Sequence, residues 1–350
     1  MTVSYHKARP LNVGYYLREM DVRYEDPGFE VDRGVQGAPS AEWLVCGPTD
    51  RLTTAALGLE SRFWSSRADS IDFRALAQGF ALRGKSGKTP LVQNAGSKTR
   101  VALHDFSLSA PKSVSVLWAL AAEETQQMIE QAQRRAAHTF LLLLGNNASY
   151  SRQGRGGRIK TPCSLVAALF PHFVSRSGDP QIHTHCTLLN VAVRPDGSTG
   201  CLETLGIMGQ LGVAATRYHE MLAEGMQQIG FSIRQCGNLF EVDGVPDHVC
   251  SEFSQRRAAA LADATAWMSN IGVARTNWEP SRSLMKKSVL RTRPVKKTQR
   301  VSQLTIEWLR RAELLDFHPF QVSLTPSEEH WALIDPSDEE RSSRRFREVG

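Results

Sequence analysis

Apolar and polar positions recur along this chain with two different periods. Strands are predicted where the period is two and helices where it is near 3.6. "VALHDFSLS" (101–109) alternates as a strand does, and Ser109 is placed to cap a following helix over "APKSVSVLWALA". "LVAALFPHFV" and "IHTHCTLLNVAV" are longer apolar runs separated by "SRSGDP", which has the composition of a turn. Together they predict an antiparallel hairpin. "EETQQMIEQAQRRAAHTFLLLLG" carries an amphipathic helical pattern expected to stop at Gly145, and "GIMGQLGVAATRYHEMLAEGMQQIG" predicts a second long helix.

Shorter elements fill the gaps. "KARPLNVGYYLRE" reads as a polar lead and then a helix holding Tyr15 and Tyr16, "RQGRGGRIK" as a basic hairpin tip, and "FSIRQCGNLFEVDGV" as another hairpin. "YEDPGFEVDRGVQGAPSAEWLVCG" is rich in Gly and Pro and reads as loops with short strands. From about Arg282 the chain turns basic, and its last fifteen residues, "PSDEERSSRRFREVG", have the composition of disorder. No internal repeat is present. Strands and helices interspersed in this way predict an α+β (α/β) fold with a central, mainly antiparallel sheet flanked by helices.

Composition narrows the function. At 350 residues and 41% apolar, the chain can bury a substantial core. Its net charge of +6 and pI near 9.1 favour an acidic partner such as nucleic acid. The six cysteines are scattered, so neither a disulfide framework nor a thiolate zinc site is expected. With no leader-like start and no run of eighteen apolar residues, neither export nor membrane insertion is expected.

The candidate chemistry lies in the long hairpin. Residues i and i+2 of a strand share a face, so His183 and His185 present both imidazoles together. If a tight loop at Ser177 and Gly178 closes the hairpin, His172 lies opposite His183 on that face; a longer loop shifts the register. Three imidazoles without cysteine suit a divalent ion with open coordination positions. Taken singly, each histidine is more ordinarily a packed or exposed side chain, and the spacing alone leaves both readings open. "RGKSGKTP" is no phosphate-binding loop, because Leu82 stands where such a loop needs its first glycine and Pro90 follows at once.

"NVGYYLRE", "HDFSLSAPKSVSVLWAL" and "HFVSRSGDPQIHTHCTLLNVAVRPDG" together resemble the N-terminal relaxase domain of conjugative relaxases of the TrwC type, within the HUH endonucleases. The resemblance spans roughly residues 10 to 300. Thr184 stands between the two histidines where the class name has a bulky hydrophobic residue. The resemblance implies a relaxase domain over 1–300, a C-terminal extension over 301–350, no helicase domain within the chain, and a helical C-terminal segment enclosing DNA. It implies Tyr15 as nucleophile with Tyr16 as nearest substitute, and a divalent metal held by His172, His183 and His185: Mg²⁺ or Mn²⁺ in use, with Zn²⁺ or others accepted. Asp105 would hydrogen-bond one metal-bound histidine, although it could instead cap the next helix or pair with Lys112.

Where relatives often carry a second tyrosine pair, "VRYED" places Arg23 and Tyr24, so only Tyr24 is a possible second tyrosine. Arg152, Arg155, Arg158 and Lys160 of the glycine-rich tip, with Lys112 and Arg293, are the candidate DNA-binding cations. Trp43 and Trp64 are either core residues or platforms for bases. The activity implied is nicking and strand transfer at a plasmid transfer origin through a 5′-phosphotyrosyl intermediate. The partners implied are single-stranded and hairpin DNA, accessory relaxosome proteins and a coupling protein, in a bacterial cytoplasm. A rolling-circle replication initiator is the neighbouring alternative. A three-histidine hydrolase acting on a small molecule would explain the histidines but not the tyrosine pair, and a DNA-binding protein with a purely structural metal would leave both tyrosines idle.

Overall fold

A computed structural model describes residues 3–17, 41–59, 68, 70–81, 89–270, 280–294 and 301–318. Tyr24, Trp64, residues 82–88 and the final segment lie outside them. Five strands form one antiparallel sheet in the order β1 (Val3–Ala8), β3 (Leu103–Ser109), β7 (Pro180–Leu189), β6 (Leu165–Val174), β2 (Glu42–Cys46). The strands that read as nearly continuous apolar runs do so because both faces of this sheet are covered. Leu165, Ala167 and Leu169 of β6 point into one core, while Val166, Ala168 and Phe170 point into the other.

The first core is roofed by α3 (Lys112–Leu120), α4 (Glu123–Ala148) and α5 (Thr204–Ile229), which follow the short α1 (Asp50–Leu57) and α2 (Ser70–Gln78). Helices α1 and α2 and the helical residues 14–17 cover the opposite face. Trp43 is buried in that second core rather than offered to a ligand. Two expected boundaries moved. Helix α4 runs through Gly145 to Ala148, because this glycine lets the helix cross β2: a Cβ there would meet Cys46 O at 2.7 Å. Ser109 ends β3 opposite His183, and Pro111 takes the N-cap of α3 without a side-chain bond.

The later helices are α6 (Asp247–Glu252), α7 (Gln255–Asn270), α8 (Arg282–Arg291) and α9 (Val301–Leu314). Leu304, Trp308 and Ala312 of α9, with Phe317, join the first core. Helix α9 also braces the turn between β6 and β7. Trp308 Nε1 donates to Gly178 O at 2.8 Å, and Arg311 Nη1 donates to Asp179 Oδ1 at 3.2 Å. The Trp308 ring meets Trp118 edge-on at 6.2 Å, and Trp118 stacks on Phe173 at 4.9 Å, directly beside His172 in sequence.

Trp308→Phe keeps most of this apolar contact but removes the donor to a buried carbonyl. The expected loss is about 1–3 kcal/mol of stability, read as a lower urea midpoint at unchanged slope. An unchanged midpoint would mean the indole bond contributes nothing.

Candidate metal and nucleophile site

The hairpin β6–β7 sets the histidines. Its turn is closed by Gly178 N donating to Ser175 O and Ser175 N donating to Asp179 O, and His172 pairs directly with His183 while Phe170 pairs with His185. All three rings therefore stand on the face of the second core, the alternate positions Ile182 and Cys186 facing the first. Ring centroids are 5.0 Å apart for His172 and His183, 4.9 Å for His172 and His185, and 5.3 Å for His183 and His185. One ring nitrogen from each can be chosen so that all three lie within 4.8 Å of one another.

The outer nitrogens are spoken for. His183 Nδ1 donates to Gln181 O at 2.8 Å, and His185 Nδ1 lies 2.9 Å from Asp105 Oδ2 and 3.0 Å from Ser107 Oγ. Such bonds fix the tautomer and leave Nε2 as the ligating nitrogen of both rings. The donor set, three neutral imidazoles with room for further ligands, fits a divalent ion of the first transition row.

The two tyrosines play different parts in this geometry. Tyr15 is half-buried, with its ring centroid 6.4 Å from that of His172 and 6.3 Å from that of His185. Tyr16 is 6% exposed, packs against Phe170 and Phe73, and donates its hydroxyl to Asp105 Oδ2 at 2.8 Å. One carboxylate thus joins Tyr16 to His185. Nothing in the sequence pattern separated the two adjacent tyrosines in this way, since the difference comes from which of them the second core swallows.

The candidate DNA-binding cations are spread over the molecule. "RQGRGGRIK" forms β4 (Tyr150–Gln153) and β5 (Ile159–Pro162) around a tip where Gly154, Gly156 and Gly157 all take positive φ, a conformation that glycine adopts without strain. Arg155 and Arg158 are exposed at that tip, whereas Arg152 pairs with Glu203 at 3.2 Å and Lys160 with the same residue at 3.8 Å. Glu203 also caps α5. Lys112 is turned inward: its ammonium donates to Pro180 O at 2.8 Å and Gln181 Oε1 at 3.2 Å, and burial pushes its pKa down to about 8. It ties α3 to the start of β7. Asp105 therefore neither caps α3 nor meets Lys112. Arg293 is exposed just beyond α8.

The profile of the TrwC relaxase family matches residues 12–315. The chain belongs to this family. Among curated relatives of this relaxase chain, the multifunctional conjugation protein TraI of Escherichia coli strain K12 is 28% identical over 239 residues, which are 61% of this chain and 13% of TraI. A second Escherichia coli TraI is 28% identical over 184 residues, 49% of this chain and 10% of that protein. The chain thus spans about an eighth or less of the length of these relatives.

In solved structures the fold matches the conjugative relaxase TrwC in complex with oriT DNA in a copper-bound form. The TM-score is 0.71 and the identity 23%, over 91% of this chain and 99% of that one. It also matches TrwC complexed with a 27-mer DNA comprising the recognition hairpin and the cleavage site, with a TM-score of 0.69, 24% identity and the same coverage of both chains. At these identities the likeness establishes the relaxase fold. Among the described residues no helix is long and apolar enough to cross a membrane.

Proposed function

We propose that this chain nicks one DNA strand at a transfer origin and holds the cut end covalently, with Tyr15 as the nucleophile. The observation that carries the reading is the position of Tyr15 over the histidine triad, 6.3 Å from His185 and 6.4 Å from His172 between ring centroids. Membership of the relaxase family supports it, as do the oriT complexes of TrwC.

The residues divide the work. The Tyr15 phenolic oxygen bonds to phosphorus and gives up its proton; the bond from phosphorus to the 3′-oxygen breaks, and that oxygen leaves as a hydroxyl once protonated. The product is a 5′-phosphotyrosyl link, which preserves a phosphodiester and lets a 3′-hydroxyl reverse the step after transfer. A phenol with an ordinary pKa near ~10 is a poor nucleophile toward a phosphodiester at neutral pH, so the phosphate has to be activated. A divalent ion held by His172, His183 and His185 would supply that Lewis acidity at the phosphate oxygens. Asp105 orients His185, and Tyr16 orients Asp105; Tyr16 is thus a positioning residue on this reading.

The metal is read as Mg²⁺ or Mn²⁺ in use. The partners are hairpin and single-stranded DNA, accessory relaxosome proteins and a coupling protein, in a bacterial cytoplasm.

The test is direct. The purified chain is incubated with labelled single-stranded origin DNA and Mn²⁺ or Mg²⁺, with and without EDTA. The expected result is an adduct that survives SDS, maps to Tyr15 and is absent with chelator. Cleavage without an adduct would make water the nucleophile and sink the assignment.

A further inference from the structure

Three arginines from distant parts of the sequence meet beside the turn that closes the histidine hairpin. Arg176 lies in the turn itself, Arg256 in the first turn of α7, and Arg293 just past the end of α8. Hydrogen bonds between their elements bring them together. Gln255 N donates to Asp179 Oδ2 at 2.9 Å, which pins the start of α7 to the turn. Arg291 Nη2 donates to Asp263 Oδ2 at 2.6 Å, which lays the end of α8 along α7.

The position of Arg256 in this cluster is costly as it stands. Among the described residues Arg256 Nε is buried with no hydrogen-bond partner, and neither Arg256 nor Arg293 forms an ion pair with a described carboxylate. Asp179, the acid at the turn, is committed to Arg311 Nη1 and to the backbone of Gln255. Burial, and then the charges of Arg293 and Arg176, pull the pKa of Arg256 below its ordinary value. A buried donor without an acceptor destabilises a fold, and so does a desolvated charge set among like charges. An arrangement of this kind persists where a ligand completes it, and a tetrahedral oxyanion offers several acceptors to guanidinium forks at once.

We propose that Arg176, Arg256 and Arg293 form a phosphate-binding site, occupied by a backbone phosphate of the DNA strand that runs to the histidines. The choice of DNA as the source rests on the function proposed above; the phosphate chemistry does not. The last pair before the turn, Val174 with Pro180, lies two residues beyond His172, roughly 7 Å along the strand. A phosphate gripped there would hold the strand in register with the Tyr15 site.

The experiment uses the whole chain with Arg256→Gln and, because Arg256 is partly buried, the exposed Arg293→Gln as a second variant. Binding of a fluorescent single-stranded oligonucleotide is titrated across a range of NaCl concentrations. Each variant is expected to bind about tenfold more weakly at moderate salt, with a log–log salt slope shallower by up to about 0.7 because the phosphate is less fully neutralised. Arg256→Gln is also expected to melt no lower than the wild-type chain, because it removes a buried Nε donor that has no partner among the described residues. Unchanged affinity and slope in both variants would overturn the proposal.

Inorganic phosphate separates the sources. If it raises the melting temperature of the wild type and not of Arg256→Gln, while DNA binding is the same for both, the site takes free phosphate and the DNA assignment falls. If the variants lose DNA affinity as expected but the wild type never forms an adduct, the phosphate site stands and the nicking reading fails on its own.

Discussion

Tyr15→Phe is expected to abolish the covalent adduct, by more than about a thousandfold, while leaving DNA affinity within about twofold. On the function proposed above the hydroxyl is the bond-forming atom, and a ring without it cannot form the link. The phenyl ring that remains still fills its place beside Tyr16, His172 and His185, so the fold should not register the change. Tyr16→Phe should behave differently. It removes one donor to Asp105 inside a packed core, and the adduct should persist at Tyr15 with a modest loss of rate. Denaturing gels and peptide mapping of the adduct read both outcomes. If Tyr15→Phe retained an adduct mapping to Tyr16, the division of labour between the two tyrosines would be wrong.

The second large effect is expected at Asp105. Its carboxylate is 3% exposed and accepts from Tyr16 through Oδ2 and from His185 through both oxygens. Asp105→Asn keeps the shape but removes the charge and turns one acceptor into a donor facing other donors. Loss of such a carboxylate behind a ligating histidine costs about 10–100-fold in metal affinity, or ~1.4–2.7 kcal/mol. Calorimetric titration with Mn²⁺ measures it. An affinity unchanged within twofold would mean that Ser107, also within hydrogen-bond distance of His185 Nδ1, orients the ring by itself.

What could be read from the residues and what could not divide along physical lines. The histidine hairpin was legible because a two-residue period and a turn composition are local properties. Its turn, Ser175 to Asp179, is wider than a tight Ser177-Gly178 loop, and a register shift between His172 and Val174 restores the pairing of His172 with His183. The inward turn of Lys112 was not legible, because its partners Pro180 and Gln181 lie 68 and 69 residues away and carry no pattern that names a lysine. Gly145 misled because glycine serves two ends, terminating helices and allowing close approach, and only the crossing of β2 tells them apart. Basic charge marks the surface of a segment and says nothing of Leu304, Trp308 and Ala312, which α9 sends into the interior. The arginine cluster was hidden for the same reason, since Arg176 and Arg256 come from separate elements.

The brace on the hairpin turn also has a consequence in time. Trp308 reaches Gly178 across 130 residues, and Arg311 reaches Asp179 across 132. A ribosome that has delivered the histidines must synthesise this stretch before either brace exists, an interval of roughly 6–26 s at the usual ~5–20 residues per second. During that interval the two metal strands have one another but lack the tryptophan and arginine that seat their turn. If the histidines hold an ion as proposed, chains stalled at residue 300 should exchange it faster than released protein.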